Sequence, residues 1–288
     1  KAWADELKAE FEPSLQSVLT RSDVDAVVCC TPTTMHREVL TAAAHAKKHI
    51  FTEKVLAVTT EEAKEIADAV KDAGIVFTIA HHLCRNPLMN YAKELVDSGV
   101  FGKISMIRAR RSHSGVSDNW LVDYWFDTEK TGGGAMMDLG AHPMYLLSWL
   151  SGKPKRISGV FNNFYGTSSD ENAVALIEFE NGTIGVSETS FVAYNTHDVL
   201  EIYGTDATLL ICGDKIKLTS RRDSEQNPGY TTPSVNITEL PSVFDIFVDA
   251  CLGLAQVPAG INIEAGVAVS QLMELAYKSN ELNITLVL

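Results

Sequence analysis

Three short segments carry residue types that could do chemistry together. The first runs Gly132-Gly133-Gly134-Ala135-Met136-Met137-Asp138-Leu139-Gly140-Ala141-His142. Asp138 and His142 lie four apart, so on a helix they share a face. A carboxylate beside an imidazole selects its tautomer and raises its basicity, which is equipment for taking a hydroxyl proton. Gly140 between them is costly in a helix unless something must come close, and the three leading glycines let backbone approach a ligand. The plainer reading makes Asp138 an N-cap and His142 a satisfied core histidine.

The second segment, Thr52-Glu53-Lys54, ends an apolar strand pattern. Charge emerging from such a strand is expensive unless it is paired or used, and a lysine there can stabilise a developing alkoxide. A surface ion pair at a strand end fits equally well. The third is Thr31-Pro32-Thr33-Thr34-Met35-His36, at the end of another apolar strand. In open α/β sheets, ligands bind beyond the carboxyl ends of strands, and threonine hydroxyls with the N–H groups of a following helix suit phosphate or ribose. A strand-to-helix turn capped by threonine is the alternative. Asp138 and His142 could recruit His81, His82 or His113 around a metal, but no H-E-x-x-H and no cysteine cluster occurs, and no metal is expected. There is no G-x-S-x-G nucleophile motif either. Trp120, Tyr124 and Trp125 precede the glycines. They suit the wall of a sugar pocket, with core packing as the default.

These residues need a scaffold, and the hydrophobic pattern supplies one. Short helices are expected around Ala4–Phe11 and Ser14–Thr20. The runs Val24–Cys30, His49–Thr52 and Ile75–Ala80 read as buried strands, with helices at Glu38–Lys47 and Thr60–Ala73 between them. Strand–helix alternation at this spacing means parallel βαβ units. After residue 84 the rhythm changes. A helix (Pro87–Ser98) and an alternating strand (Lys103–His113) come first. A glycine turn into a helix (Gly132–Leu150) and then period-two strands follow, with an Asn181-Gly182 hairpin turn. Helices at Phe244–Cys251 and Ile263–Tyr277 and a strand at Ile284–Leu288 close the chain. The fold class is therefore α/β: a parallel sheet over residues 1–84, then an α+β unit over 85–288 with a large, open, mostly antiparallel sheet. The polar stretch Arg221–Pro233 reads as a mobile loop.

Composition narrows the partners. Of 288 residues, 45% are hydrophobic and 21% charged, and 37 acidic against 24 basic residues give a net charge of −13. So acidic a body repels nucleic acid and anionic membrane unless it carries a dense basic patch. The longest basic cluster, Arg108, Arg110 and Arg111, alternates as the solvated face of a strand would. No apolar run approaches the roughly 20 residues that span a bilayer. Five cysteines, with no C-x-x-C, read as buried, reduced thiols in a cytoplasmic protein.

Taken in order, VDAVVCCTPTTMH, HIFTEK, RNPLMNYAKELVDSGVFGKI, WFDTEKTGGGAMMDLGAH and EIYGTDATLLI resemble the glucose–fructose oxidoreductase/inositol dehydrogenase (Gfo/Idh/MocA) family, nearly end to end. The resemblance implies an NAD(P)-binding Rossmann unit joined to a substrate and oligomerisation domain. It implies an oxidoreductase that uses NAD or NADP on sugars, polyols or related hydroxyl compounds, and a homodimer or homotetramer. Matched residue by residue, Lys54 takes the place of the family's E-K-P lysine at substrate and nicotinamide, with Glu53 beside it. Asp138 and His142 match the D-x-G-x-H pair, His142 as acid/base. Thr31, Pro32 and His36 match the loop that lines the nicotinamide. Arg85 and Pro87 resemble the R-x-P at the domain junction.

Three departures stand out. Val55 replaces the proline of E-K-P, which is expected to reshape that turn. Tyr145 replaces a carboxylate that many polyol dehydrogenases carry three residues after the histidine. No G-x-G-x-x-G occurs; the family carries it on a preceding strand and helix, with a ribose-reading acidic residue about 20 positions on, so those elements are expected to lie outside this chain. The alternatives are a sugar-binding or structural homologue that has lost its cofactor, and a cofactor-assisted hydrolase on the same fold.

Overall fold

Parallel pairing of three short strands builds the first unit. In the computed structural model, which describes residues 1–221, 229–234 and 240–288, β1 (Ala26–Cys29), β2 (His49–Thr52) and β3 (Phe77–Ile79) form a sheet in that order. The register aligns Val28 with Phe51 and Phe51 with Thr78. Two short helices, α1 (Ala2–Glu6) and α2 (Leu15–Leu19), precede it. The crossovers are α3 (His36–His45) and α4 (Thr60–Ala73). Helix α4 starts on the Thr59 hydroxyl, which accepts the Glu62 N–H, and stops at Gly74, whose φ of +65° suits a residue without Cβ. Leu40, Ile50, Ile66 and Ile79 are fully buried between these elements, each worth about 1.5–3 kcal/mol of transfer free energy.

The second unit begins with α5 (Pro87–Asp97), its N-terminus capped by the Asn86 side chain. An eight-stranded sheet follows, in the order β10-β9-β8-β4-β7-β6-β5-β11. Its strands are β4 (Ile104–Ser112), β5 (Pro154–Asn162), β6 (Asn172–Phe179), β7 (Ile184–Ser190), β8 (Val199–Gly204), β9 (Ala207–Cys212), β10 (Lys215–Ser220) and β11 (Leu286–Val287). Only β4 and β7 pair in parallel; every other pair is antiparallel. The Asn181-Gly182 turn joins β6 to β7 as the dipeptide predicted. The short α6 (Thr128–Thr131), α7 (Ala141–Ser151), α8 (Val243–Cys251) and α9 (Ile263–Leu282) complete the chain. Helices α7 and α9 cover one face of the sheet, while Val160, Val174 and Leu176 stand exposed.

The structure differs from the sequence reading in four places. β1 is an edge strand among the described residues, so Val28 is 53% exposed instead of buried. The opening helix ends at Glu6, leaving Leu7 and Phe11 exposed. Cys30 and Cys212 are exposed, although Cys29 and Cys84 are buried; all five thiols are free. The last strand of the first sheet ends at Ile79, and α9 returns to that unit from late in the chain. Its first residue, Ile263, packs in the same core as Ile50 and Ile66. Residues 222–228 of the Arg221–Pro233 stretch lie outside the described residues.

Candidate active site

A cavity of about 370 Å³ opens at the carboxyl ends of β1 and β2, where open parallel sheets place their ligands. Thr31 follows β1, Glu53 and Lys54 follow β2, and Asp138 faces them from the glycine segment. Tyr124 and Trp125 form an aromatic wall. Trp120 is 55% exposed, so the default of core packing does not hold for these aromatics. Thr34 donates from its hydroxyl to the Lys130 carbonyl at 3.1 Å, tying the turn after β1 to the segment that leads into the glycines.

Lys54 reaches across the cavity. Its ammonium donates to Asp138 twice, to Oδ1 at 2.6 Å and to the backbone carbonyl at 2.7 Å. The Lys54–Val55 peptide is cis, and the valine in place of proline leaves the lysine aimed at Asp138. The carbonyl is open to Lys54 where the helix widens. Met136–Gly140 forms a single π-helical turn ahead of α7, and such turns loosen the i→i+4 ladder. The expectation that Asp138 orients His142 does not match these contacts. The Asp138 carboxylate is taken by Lys54, and its charge acts on His113 of β4's end, partly offsetting the burial that lowers that imidazole.

The glycines serve packing more than ligand approach. A Cβ on Gly133 would lie 2.1 Å from the Tyr277 hydroxyl, and one on Gly134 would lie 2.2 Å from the Asp170 carbonyl. Asp170 holds the start of the helix: Oδ1 accepts the Gly134 N–H at 2.9 Å, Oδ2 the Met136 N–H at 2.7 Å, and the carbonyl the Ala135 N–H at 2.8 Å. Tyr277 donates to Asp170 Oδ1 at 2.8 Å and accepts the N–H groups of Gly134 and Met137. A carboxylate on the free N–H groups of a first turn is a cap and a favourable charge at once. Asp170 and Tyr277 position Asp138, and no local pattern in the sequence pointed to either.

His142 does not line the cavity. Its Nδ1 lies 2.9 Å from the Tyr145 hydroxyl, and that hydroxyl accepts the Leu83 N–H at 3.1 Å. Burial first, and then the charge of Lys54, hold His142 well below the usual imidazole range. His36 is buried too. Its Nδ1 lies 2.9 Å from the Val55 carbonyl and its Nε2 3.1 Å from that of Thr31. It braces the two turns that carry Thr31 and Lys54 from behind, and Pro32 sits between the braced ends, outside the lining. Thr31, Glu53, Lys54 and Asp138 are thus gathered at one cavity, while Pro32, His36 and His142 stand around it. Arg85 donates to the Pro241 carbonyl at 3.1 Å and Pro87 opens α5.

These histidines make the fold acid-sensitive. His81 is fully buried, its Nδ1 donates to the Gly260 carbonyl at 2.7 Å, and burial pushes its pKa down to about 4. An imidazole depressed in the folded state takes up its proton in the unfolded chain first. Stability is therefore complete above the unfolded value near 6.5 and falls as pH drops from there toward 4. For His81 alone the loss approaches about 3 kcal/mol, and His36 and His142 act in the same direction. Urea unfolding at stepped pH should show the midpoint falling between pH 6.5 and 4, with a shallower fall in His81→Asn; a flat midpoint in the parent protein would contradict this.

A parallel nucleotide-type sheet, a larger open sheet and a lysine held at the strand ends define the class of architecture, an α/β fold with its candidate site beyond the parallel strands. Residues 1–81 match the oxidoreductase family with an NAD-binding Rossmann fold, and residues 89–210 match the GFO/IDH/MocA C-terminal domain; the chain belongs to the Gfo/Idh/MocA family. It is similar to levoglucosan dehydrogenase of Pseudarthrobacter phenanthrenivorans, 28% identical over 247 residues, 75% of this chain and 63% of that protein. Against scyllo-inositol 2-dehydrogenase (NAD(+)) of Bacillus subtilis it is 28% identical over 203 residues, 67% of this chain and 57% of the relative. The chain thus spans less than two thirds of either relative. A levoglucosan dehydrogenase structure in complex with NADH and levoglucosan superposes with a TM-score of 0.88 at 23% identity, over 99% of this chain and 85% of that one.

Proposed function

We propose that the protein is an NAD(P)-dependent oxidoreductase that moves a hydride between nicotinamide and a hydroxyl or carbonyl carbon of a sugar or polyol. The observation that carries this reading is the Lys54 ammonium, held by Asp138 at the ends of two parallel strands. The lining suits the nicotinamide–ribose end of such a cofactor: Trp125 and Met137 offer apolar faces for a flat ring, and Thr31, Thr33 and Lys54 offer donors. The cavity is of ligand size. When bound, the nicotinamide supplies the hydride acceptor. Lys54 holds the reacting oxygen and favours its anionic form, Asp138 holds Lys54, and His142, outside the cavity lining, is the remaining polar group that the resemblance assigns to the chemistry. Tyr124 and Trp125 present aromatic faces suited to the C–H face of a sugar. Two relatives named as sugar and polyol dehydrogenases support the substrate class.

The exposed valines and leucine on the open sheet fit the homodimer or homotetramer that the resemblance implies. Among the described residues, no helix is long and apolar enough to cross a membrane; five free thiols accord with a cytoplasmic location. The test is thermal-shift titration of the full-length protein with NAD and NADP, followed by turnover on a panel of sugars and polyols. Saturating cofactor at 100 times its Kd should add about 2.7 kcal/mol of stability. No response to either nucleotide would sink the reading, and light scattering on the same sample would reveal a monomer if the sheet face is not an interface.

A further inference from the structure

We propose that Tyr145 is a positioning residue that holds His142 as the Nε2–H tautomer, so that a substrate oxygen that reaches His142, outside the cavity lining, meets a hydrogen-bond donor. Tyr145 is 2% exposed, and its hydroxyl has two partners among the described residues, Leu83 N–H at 3.1 Å and His142 Nδ1 at 2.9 Å. The Leu83 amide can only donate, so it occupies a lone pair of the hydroxyl. The phenolic proton then has one acceptor, His142 Nδ1, and the imidazole proton must sit on Nε2. The His81 ring cannot serve as that acceptor. It lies over the face of Tyr145, centroids 4.3 Å and planes 19° apart, whereas a phenolic O–H lies in the ring plane. The opposite tautomer strands a buried hydroxyl proton, which disfavours it roughly ten- to a hundredfold.

The charges around the ring agree. Lys54, Arg111, His81 and His82 all oppose a second proton on His142, after burial itself. Among the described residues no carboxylate pairs with it, since Asp138 is bound to Lys54 and the position three residues on is Tyr145. A neutral imidazole presented as a donor polarises a carbonyl without giving up its proton. To act as a base, His142 would have to exchange tautomer and break the Tyr145 contact.

The tautomer follows from the contacts alone, while its role at a substrate oxygen rests on the oxidoreductase reading. Nitrogen NMR of protein carrying ¹⁵N-histidine, with His142→Gln to assign the signal, reads the protonated nitrogen directly at neutral pH. The wild type should show a proton on Nε2 and none on Nδ1, and Tyr145→Phe, which keeps the ring stacked on His81, should populate both tautomers. In turnover, the phenylalanine variant should lose about tenfold in kcat with KM little changed. A proton on Nδ1 in the wild type overturns the proposal without touching the oxidoreductase reading, and so does an unchanged Nε2–H signal in Tyr145→Phe. Should the variant not fold, the wild-type spectrum decides alone. An Nε2–H signal in a protein that binds neither NAD nor NADP supports the tautomer and removes only the oxidoreductase reading.

Discussion

Lys54→Ala should lower sugar or polyol turnover by about a hundred- to a thousandfold, the usual loss when one preorganised donor to a developing oxyanion is removed. Among the described residues the ammonium is the one cation that lines the strand-end cavity, at 2.6 Å from Asp138 Oδ1. Its loss leaves that carboxylate, whose side chain is 15% exposed, without its counter-charge. A second, smaller effect follows, a stability loss of about 1–3 kcal/mol from the unpaired, partly buried group. The two effects separate experimentally. Steady-state kinetics with saturating cofactor reads the first, and urea unfolding reads the second. Asp138→Asn should keep the hydrogen bond to Lys54 and lose less turnover than Lys54→Ala. Turnover within threefold of the parent in Lys54→Ala would remove the lysine from the mechanism.

Gly134→Ala should be strongly destabilising. Its Cβ would lie 2.2 Å from the Asp170 carbonyl oxygen and 2.7 Å from the Ser169 hydroxyl. Asp170 cannot step back, because its carbonyl and both carboxylate oxygens hold the N–H groups of residues 134–136. Overpacking against backbone usually costs 1–3 kcal/mol; here, with a cap lost as well, about 3–5 kcal/mol is expected, and Asp138 moves with the turn that carries it. Gly133→Ala provides the internal control. There the obstacle is the Tyr277 hydroxyl at 2.1 Å, so Tyr277→Phe should recover part of the loss in the double mutant, giving a positive coupling. Chemical denaturation of the four proteins measures the cycle. A Gly134→Ala variant as stable as the parent would show that the contact yields freely and that Asp170 does not lock the turn.

How much of this was legible in the chain varies with the range of the interaction. The parallel strands and their helices are local hydrophobic patterns, and they appear within about two residues of their expected bounds. Lys54 stands out in the sequence because charge ending an apolar strand is costly, and Asp138 because it lies four residues from His142 in a glycine-rich segment, and the structure brings the two together. Their pairing was not foreseen. Spacing of four put Asp138 with His142, but a π-helical turn interrupts the regular helix there, and Lys54, 84 positions away, takes the carboxylate. Asp170 and Tyr277 carried no signal at all, since an aspartate in a polar loop and a tyrosine on a helix acquire meaning only when they meet the same N–H groups.

By itself, then, the sequence determined the fold class, the family and the residue types of the site, because periodicity and motif order are one-dimensional properties. Tertiary structure alone decided which partner each polar group has. Lys54 went to Asp138, Tyr145 to His142 and Asp170 to the glycine turn. The first and last depend on long-range approach, and Tyr145 with His142, three apart on α7, depends on the burial of both groups, where an unsatisfied donor is expensive enough to dictate its neighbour.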